Sequence, residues 1–249
     1  MLGRAVAVAL ALALAVVALA TPVIADTPAQ SARALIARYD EDITRLDRAR
    51  DLLETALAGE RRVDTLIALS YVYFLLGDVR ARTSEERLAA YDRGRELGKR
   101  AVELAPRDEE AHLWYAINTG RWGQTKGVLR SLFLLPTVRE EIETILSLNP
   151  RSVRGRALAG NVLMEVPGFV GGDRTRAEKQ FRWGIEADPH FTTLRVDLAR
   201  LLIDGGRYDE ARRELRRVIE ERAPTNVADW TVKDRPRARE LLESLRDKP

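Results

Sequence analysis

The chain has 249 residues, of which 45% are hydrophobic and 32% charged, so it can bury a core and lacks the composition of a disordered protein. The formal net charge is +3. Acidic and basic residues are interleaved along nearly every segment, which indicates solvated faces rather than a nucleic-acid-binding surface. There is no cysteine, which excludes disulfides, thiolate chemistry and a lipid-modified N-terminal cysteine.

The first 25 residues have the pattern of a secretory signal peptide. A basic start ends at Arg4, an apolar run covers Ala5–Ala20, and Val23-Ile24-Ala25 resembles a cleavage site. We expect cleavage after Ala25 and a periplasmic or secreted mature protein. Only five of the 41 basic residues are lysine, a bias typical of a GC-rich bacterial genome. The alternative is a retained membrane anchor, since the apolar segment is just long enough to span a bilayer.

The mature chain, residues 26–249, is expected to form one helical domain that begins with a cap at about residues 30–77. Apolar residues recur at three- and four-residue steps over residues 35–56 and predict one amphipathic helix that Gly59 ends. A second apolar helix is predicted over Val63–Leu76.

The next two helices are marked by their first residues. Thr83 and Glu86 match a capping box and predict a helix that runs to Pro106. Asp108-Glu109-Glu110 predicts the start of a further helix, and we expect the glycines in residues 120–127 to interrupt it.

Internal repetition is the most informative feature of the sequence. Four segments end with an apolar helix that runs into proline, at Pro106, Pro150, Pro189 and Pro224. The spacings of 44, 39 and 35 residues approach the 34-residue period of tetratricopeptide repeats. Ala199 and Ala211, twelve positions apart, are small enough for two antiparallel helices to cross closely. We therefore predict an all-α, tetratricopeptide-like superhelix of about ten helices, with repeats over about residues 83–246.

The sequence contains no recognisable catalytic motif. Neither His112 nor His190 has a metal-ligand companion at i+4, and nucleophile-elbow, phosphate-loop and dinucleotide-binding motifs are absent. We predict no catalytic residues, no metal, no cofactor and no enzymatic activity.

Two candidate contact surfaces stand out. Aromatic and polar residues gather within one helix and are predicted to line a ligand-binding groove: Trp114, Tyr115, Asn118, Arg121 and Trp122. The alternative is that the aromatic members fill the repeat core.

The second surface lies in the apolar run before Pro136, a residue poorly placed for a continuous helix. It either packs against the N-terminal helices or forms an apolar contact through Leu129, Leu132 and Phe133.

Several segments resemble known repeat families. HLWYAI at 112–117, ILSLNP at 145–150, FRWGIEADPHF at 181–191 and ARELLESL at 238–245 are similar to the regulator of microtubule dynamics family. The residues from Trp114 to Trp122, and Val166-Pro167 leading to Gly171-Gly172-Asp173, also resemble the T component associated with tripartite ATP-independent periplasmic transporters. That second resemblance implies an exported, oligomeric helical protein with an apolar ligand cavity, which partners a solute-binding protein.

The leading functional hypothesis is an exported, non-enzymatic scaffold that binds a protein partner in a repeat groove in the cell envelope. The alternative is an accessory small-ligand or lipid-binding component of a solute uptake system, and a homo-oligomer is also expected. Nucleic acid is not expected as a partner, nor is a membrane span after cleavage. An open groove with arginine, asparagine and aromatic residues would favour the scaffold, and a closed apolar cavity the carrier. A buried carboxylate or histidine with a shifted pKa in a cleft would favour an enzyme.

Overall fold

The computed structural model describes residues 26–59 and 62–248, so the predicted signal segment, residues 1–25, lies outside the described residues. Regular structure within those two ranges is helical throughout. None of the described helices is both long enough and apolar enough to cross a membrane.

The helices follow one another with short connections. In chain order they are α1 (Pro28–Ile36), α2 (Arg45–Gly59), α3 (Val63–Leu75), α4 (Ser84–Leu104), α5 (Glu109–Lys126), α6 (Val128–Leu148), α7 (Val153–Glu165), α8 (Arg174–Ala187), α9 (Thr192–Asp204), α10 (Tyr208–Glu220), α11 (Val227–Asp229) and α12 (Arg235–Ser244). Two π-helical turns, Leu76–Arg80 and Trp230–Asp234, follow α3 and precede α12, and a 3₁₀ turn covers Gly168–Val170.

The predicted all-α repeat fold is confirmed. Helices α3 to α10 form four successive hairpins, and α1 and α2 form a shorter one before them. The prolines that suggested the repeat lie in the connections between hairpins, for example Pro106 between α4 and α5 and Pro150 between α6 and α7. Ala199 and Ala211 are fully buried where α9 packs against α10. Each hairpin thus covers an apolar face that it could not bury alone.

Local capping explains where several helices begin. The Thr83 hydroxyl accepts from the Glu86 N–H at 3.1 Å, and the Glu86 carboxylate accepts from the Thr83 N–H at 3.4 Å. Asp108 accepts from the Glu110 and Ala111 N–H groups at 2.9 and 3.0 Å. These bonds satisfy N–H groups that have no partner inside the helix, as the sequence predicted.

The predicted first helix is divided in the structure. Residues 37–44 form turns between α1 and α2. The Asp42 carboxylate accepts from both the N–H and the hydroxyl of Thr44, which stabilises this turn just before α2. The break places Tyr39, which is 1% exposed, in the core, and its hydroxyl donates to Asp229 at 2.6 Å.

Two expected interruptions do not occur. Helix α5 continues through Gly120 to Lys126 and ends only at Gly127, whose φ of 113° is rarely adopted by residues with a side chain. Helix α6 continues through Pro136. Pro136 is exposed, so the backbone carbonyl that loses its N–H partner at this turn lies near solvent.

A close approach between helices α4 and α5 requires a glycine. A Cβ at Gly98 in α4 would lie 2.8 Å from the Tyr115 Cα in α5. A Cβ at Gly120 would meet nothing within 4 Å. Two glycine positions in neighbouring helices therefore differ in the space around them.

We predict opposite effects of alanine at these two positions. Gly98→Ala forces α4 from α5 and should lower the free energy of unfolding by about 1–3 kcal/mol. Gly120→Ala should raise it by about 0.5–1 kcal/mol, because alanine loses less conformational entropy in a helix. Urea unfolding followed by circular dichroism measures both, and equal effects would contradict the close contact.

Candidate functional site

A cavity of about 740 Å³ lies along the inner face of the repeat stack. The first helix of each hairpin, α3, α5, α7 and α9, contributes a stripe of side chains to its lining. Each stripe includes two lining residues seven positions apart: Tyr71 and Asp78 (the latter in the turn after α3), Trp114 and Arg121, Arg154 and Asn161, Thr193 and Arg200. We call this cavity the groove.

One wall of the groove is apolar. It comes mainly from α6 and α7 and from the residues that follow α7, and its members are Val128, Leu132, Leu135, Val138, Leu158, Val162, Val166 and Pro167. Leu135 and Val138 are buried, whereas Val128 is 73% exposed at the rim. Aliphatic side chains of a ligand would therefore find contacts along this wall.

The other lining residues include five acidic and five basic side chains. These are Asp78, Glu165, Asp197, Asp229 and Asp234, with Arg121, Arg154, Arg200, Lys233 and Arg237. Arg121 and Arg154 are exposed, so the groove opens to solvent. Its charges nearly balance, which indicates internal pairing rather than a strong field of one sign.

Lys233 links the C-terminal segment to the turn after α3 in the groove lining. Its ammonium lies 2.6 Å from Asp78 and 4.0 Å from Asp229. Burial lowers the pKa of Lys233, but the two carboxylates outweigh burial and hold that pKa above its ordinary value. Asp78 also lies 3.7 Å from Arg121. The pairs attach the π-helical turn before α12 to the π-helical turn after α3.

Two buried carboxylates face the groove further along. Asp234 is 4% exposed and accepts from the hydroxyls of Thr192 and Thr193 at 2.7 and 2.9 Å. Burial raises its pKa to about 6, although these hydrogen bonds act in the opposite direction. Asp197 accepts from the Asn161 amide at 2.8 Å, and burial raises its pKa too.

Trp114 forms the aromatic floor at one end of the groove. Its ring stacks on Tyr71 with centroids 4.0 Å apart, and its Nε1 donates to Glu110 at 3.1 Å. The Arg154 guanidinium lies 5.8 Å from the centre of the Trp114 ring. In the described part of the chain, Arg154 has no ion pair. It is thus an exposed cation beside an aromatic ring, available to an incoming anion.

The predicted groove residues separate into two groups. Trp114 and Arg121 line the groove, whereas Tyr115, Asn118 and Trp122 do not. Asn118 is fully buried, and its amide donates to the Ser70 carbonyl and hydroxyl and to the Trp114 carbonyl. The reason is the rotation of α5 about its own axis. Ile117, three residues after Trp114, lies in the groove-lining stripe of this helix, and the next residue, Asn118, does not.

The predicted apolar contact residues also lie in different places. Leu132 lines the groove. Leu129 and Phe133 are 86% and 73% exposed and do not pack against the N-terminal helices. Of the two interpretations of this run, the structure is compatible with the contact surface.

Several lining residues were not found from the sequence, among them Asp78, Arg154, Asn161, Asp197 and Lys233. A signal was present for those on the repeat helices. The seven-residue stripe recurs in α3, α5, α7 and α9, and an alignment of these helices could have located it. Lys233 lies after the last hairpin, in the turn Trp230–Asp234, and gave no such signal.

Within residues 26–59 and 62–248, no group of three or more histidine, aspartate or glutamate residues is arranged to hold a metal ion. His112 lies outside the groove, 2.5 Å from Glu141 and 3.0 Å from the Pro106 carbonyl. Its imidazole therefore links α5 to α6.

Comparison with known proteins places the fold in a family. The model of the regulator of microtubule dynamics protein 1-3 family matches residues 29–166, more than half of the chain. The chain belongs to this family. A tetratricopeptide repeat model matches residues 172–229, so the family region is followed by a further repeat.

Individual relatives agree with this assignment. Regulator of microtubule dynamics protein 3 of Rattus norvegicus and that of Mus musculus are each 26% identical over 115 residues, 46% of this chain. The matched segment is only 24% of the length of each relative. A thermophilic tetratricopeptide repeat protein of Thermus thermophilus superposes with a TM-score of 0.66 at 22% identity, covering 87% of this chain and 97% of that one. This structural likeness shows the fold alone.

Removal of the Lys233 charge should destabilise the protein. Lys233→Met leaves Asp78 and Asp229 without their shared cation and should lower the free energy of unfolding by about 2–3 kcal/mol. Lys179→Met, at an exposed position in α8, is the matched control and should change it by less than about 0.5 kcal/mol. Denaturant unfolding measures the difference, and equal stability of the two variants would contradict the role of Lys233.

The raised pKa of Asp234 predicts a pH dependence. The folded state holds this proton more tightly than the unfolded state, so ionisation between about pH 4 and pH 6 favours unfolding. Asp234→Asn abolishes that titration. As the pH rises through this window, the wild type should lose on the order of 2 kcal/mol of stability relative to the variant. Asp209→Asn, at an exposed position, is the control, and a constant difference between wild type and Asp234→Asn would refute the shift.

Proposed function

We propose that this protein is an exported, non-enzymatic scaffold that binds a segment of a protein partner in the groove. The tetratricopeptide fold favours a protein partner, because stacked hairpins present a continuous inner face to an elongated ligand. The observation that supports the proposal most is the repeated stripe on α3, α5, α7 and α9, which lines one groove with matching positions from four hairpins.

The chemistry of the groove indicates what such a segment would contain. Its aliphatic side chains would lie against the wall that contains Leu132 and Val162, where they lose contact with water. A carboxylate would lie near Arg154, the exposed groove cation without an ion pair in the described chain. The partner segment is thus amphipathic, with apolar residues and at least one acidic group.

The buried carboxylates of the groove are better explained by structure than by catalysis. Asp234 is held by two threonine hydroxyls and Asp197 by the Asn161 amide. Both threonine hydroxyls donate to the same oxygen of Asp234, and neither carboxylate has a hydrogen-bonded histidine among the described residues to complete a catalytic set. This arrangement supports the non-enzymatic part of the proposal.

A small-ligand or lipid carrier is the second candidate function. The apolar wall and the volume of about 740 Å³ favour it, because cavities that hold small ligands have this size and character. Native mass spectrometry of gently purified protein distinguishes the candidates. A retained mass of a few hundred daltons would support the carrier, whereas a retained polypeptide would support the scaffold.

A bulky side chain at Gly120 should block the groove without disturbing the fold. Gly120 lies in the groove lining with open space around its Cβ, so Gly120→Phe extends into the cavity. Ala89→Phe adds the same group to an exposed position of α4 outside the groove. We expect at least a tenfold fall in partner recovery for Gly120→Phe alone, a loss of about 1.4 kcal/mol or more.

Quantitative affinity purification from extracts of the producing cells measures this effect. Both variants should unfold at nearly the wild-type temperature, which shows that any loss of recovery arises from the groove. If every co-purifying protein is recovered equally with wild type and Gly120→Phe, the groove is not the partner site.

A further inference from the structure

A second surface lies outside the groove, at one edge of the repeat stack. Gln124 near the end of α5 donates to Glu165 at the end of α7, so these two helices end at the same edge. Helix α6 begins there, and Arg139 of α6 donates to the Val170 carbonyl at 2.7 Å, which attaches the Gly168–Val170 turn to α6. We call this region the α5–α6 edge.

The α5–α6 edge has the most exposed large apolar side chains of the described residues. The exposed fractions are 73% for Val128, 86% for Leu129, 73% for Phe133 and 87% for Phe169. Leu129, Phe133 and Phe169 protrude and lie outside the groove lining, and Val128 lies at the groove rim. A partner helix or strand would need a groove on this surface to receive it. Protruding apolar side chains can instead insert at the boundary between lipid headgroups and acyl chains.

Free cations flank these apolar side chains. Lys126 and Arg130 lie 5.6 and 5.7 Å from the Trp122 ring centre, and neither forms an ion pair in the described part of the chain. From Ala111 to Arg139 the sequence contains no aspartate or glutamate, although acids and bases alternate elsewhere. Glu165, the acidic residue at this edge, is ion-paired with Arg200. The α5–α6 edge therefore combines exposed apolar groups with two cations that have no ion pair in the described chain.

We propose that the α5–α6 edge docks on an anionic membrane surface. Its apolar side chains enter the interfacial layer, and Lys126 and Arg130 lie against lipid phosphates. A second copy of the chain fits less well, because two positively charged edges would repel each other. The proposal is independent of what the groove binds.

The sequence of α6 also indicates which part enters the interface. Leu129, Phe133 and Pro136 follow one another on its exposed side, and the next residue on this stripe is Glu140. Glu140 is about 16 Å from Leu129 along the helix axis. The N-terminal end of α6 therefore enters the interface while its acidic half stays in water. Val128 also lines the groove, so docking would place the mouth of the groove near the lipid surface.

Because the protein has no cysteine, single cysteines allow a site-specific test in the full chain. Leu129→Cys and Phe169→Cys are labelled with an environment-sensitive dye, as are Glu140→Cys and Arg107→Cys as controls. We expect a blue shift and about a twofold brightening at positions 129 and 169 on vesicles that contain phosphatidylglycerol, with none at the controls. The labelled position reports insertion of this edge, even if the apolar segment 5–20 also binds the vesicles.

Charge reversal tests the role of the cations. Lys126→Glu combined with Arg130→Glu should lower the vesicle affinity reported by the dye at position 129 at least about tenfold. Unchanged dye emission at 129 and 169 on the anionic vesicles would overturn the proposal. So would an equal response on pure phosphatidylcholine, or a blue shift without vesicles that grows with protein concentration, which would indicate self-association. Partner recovery with Gly120→Phe tests the groove, so its outcome neither supports nor contradicts membrane docking of the α5–α6 edge.

Discussion

The shape of the groove depends on one half-buried cation. Lys233 lies between Asp78 and Asp229, and the Tyr39 hydroxyl donates to the same Asp229. Burying one carboxylate without a partner is costly, and a buried ion pair often contributes little net stability. Here one ammonium compensates two carboxylates, one from the turn after α3 and one from α11. Its main effect is therefore to specify how the C-terminal segment closes on the N-terminal helices.

This closure explains why the groove has two kinds of wall. Both residues of the Asp78–Lys233 pair lie in π-helical turns, which are rare and often found at functional positions. The closing segment contributes Asp229, Lys233 and Asp234 to the lining, and α6 and α7 contribute the aliphatic wall. Without the closing segment, the groove would lose these three charged residues and keep those of α5, α7 and α9. The resulting amphipathic groove accounts for the proposed preference for a segment with both apolar and acidic residues.

The hairpins could be predicted from the sequence because periodicity, caps and connecting prolines are local signals. The break between α1 and α2 could not, because it depends on Tyr39 reaching Asp229 across the fold. Assignment of Asn118 to the groove failed because helices α3 and α4 set the rotation of α5, and Ile117 takes that place. The exposure of Leu129 was not predictable either, since apolar residues at helical spacing are usually buried. Contacts distant in sequence decided each of these cases.

The most direct test of the central claim is a distance measurement between the two ends of the stack. Spin labels at Glu41→Cys, beside the α1–α2 turn, and Glu240→Cys in α12 span the closure, and both positions are exposed. Pulsed electron paramagnetic resonance should give one narrow distance distribution in the otherwise wild-type chain. In Lys233→Met, kept below its unfolding temperature, the distribution should broaden towards longer distances. Identical narrow distributions in both proteins would contradict the claim that Lys233 closes the groove.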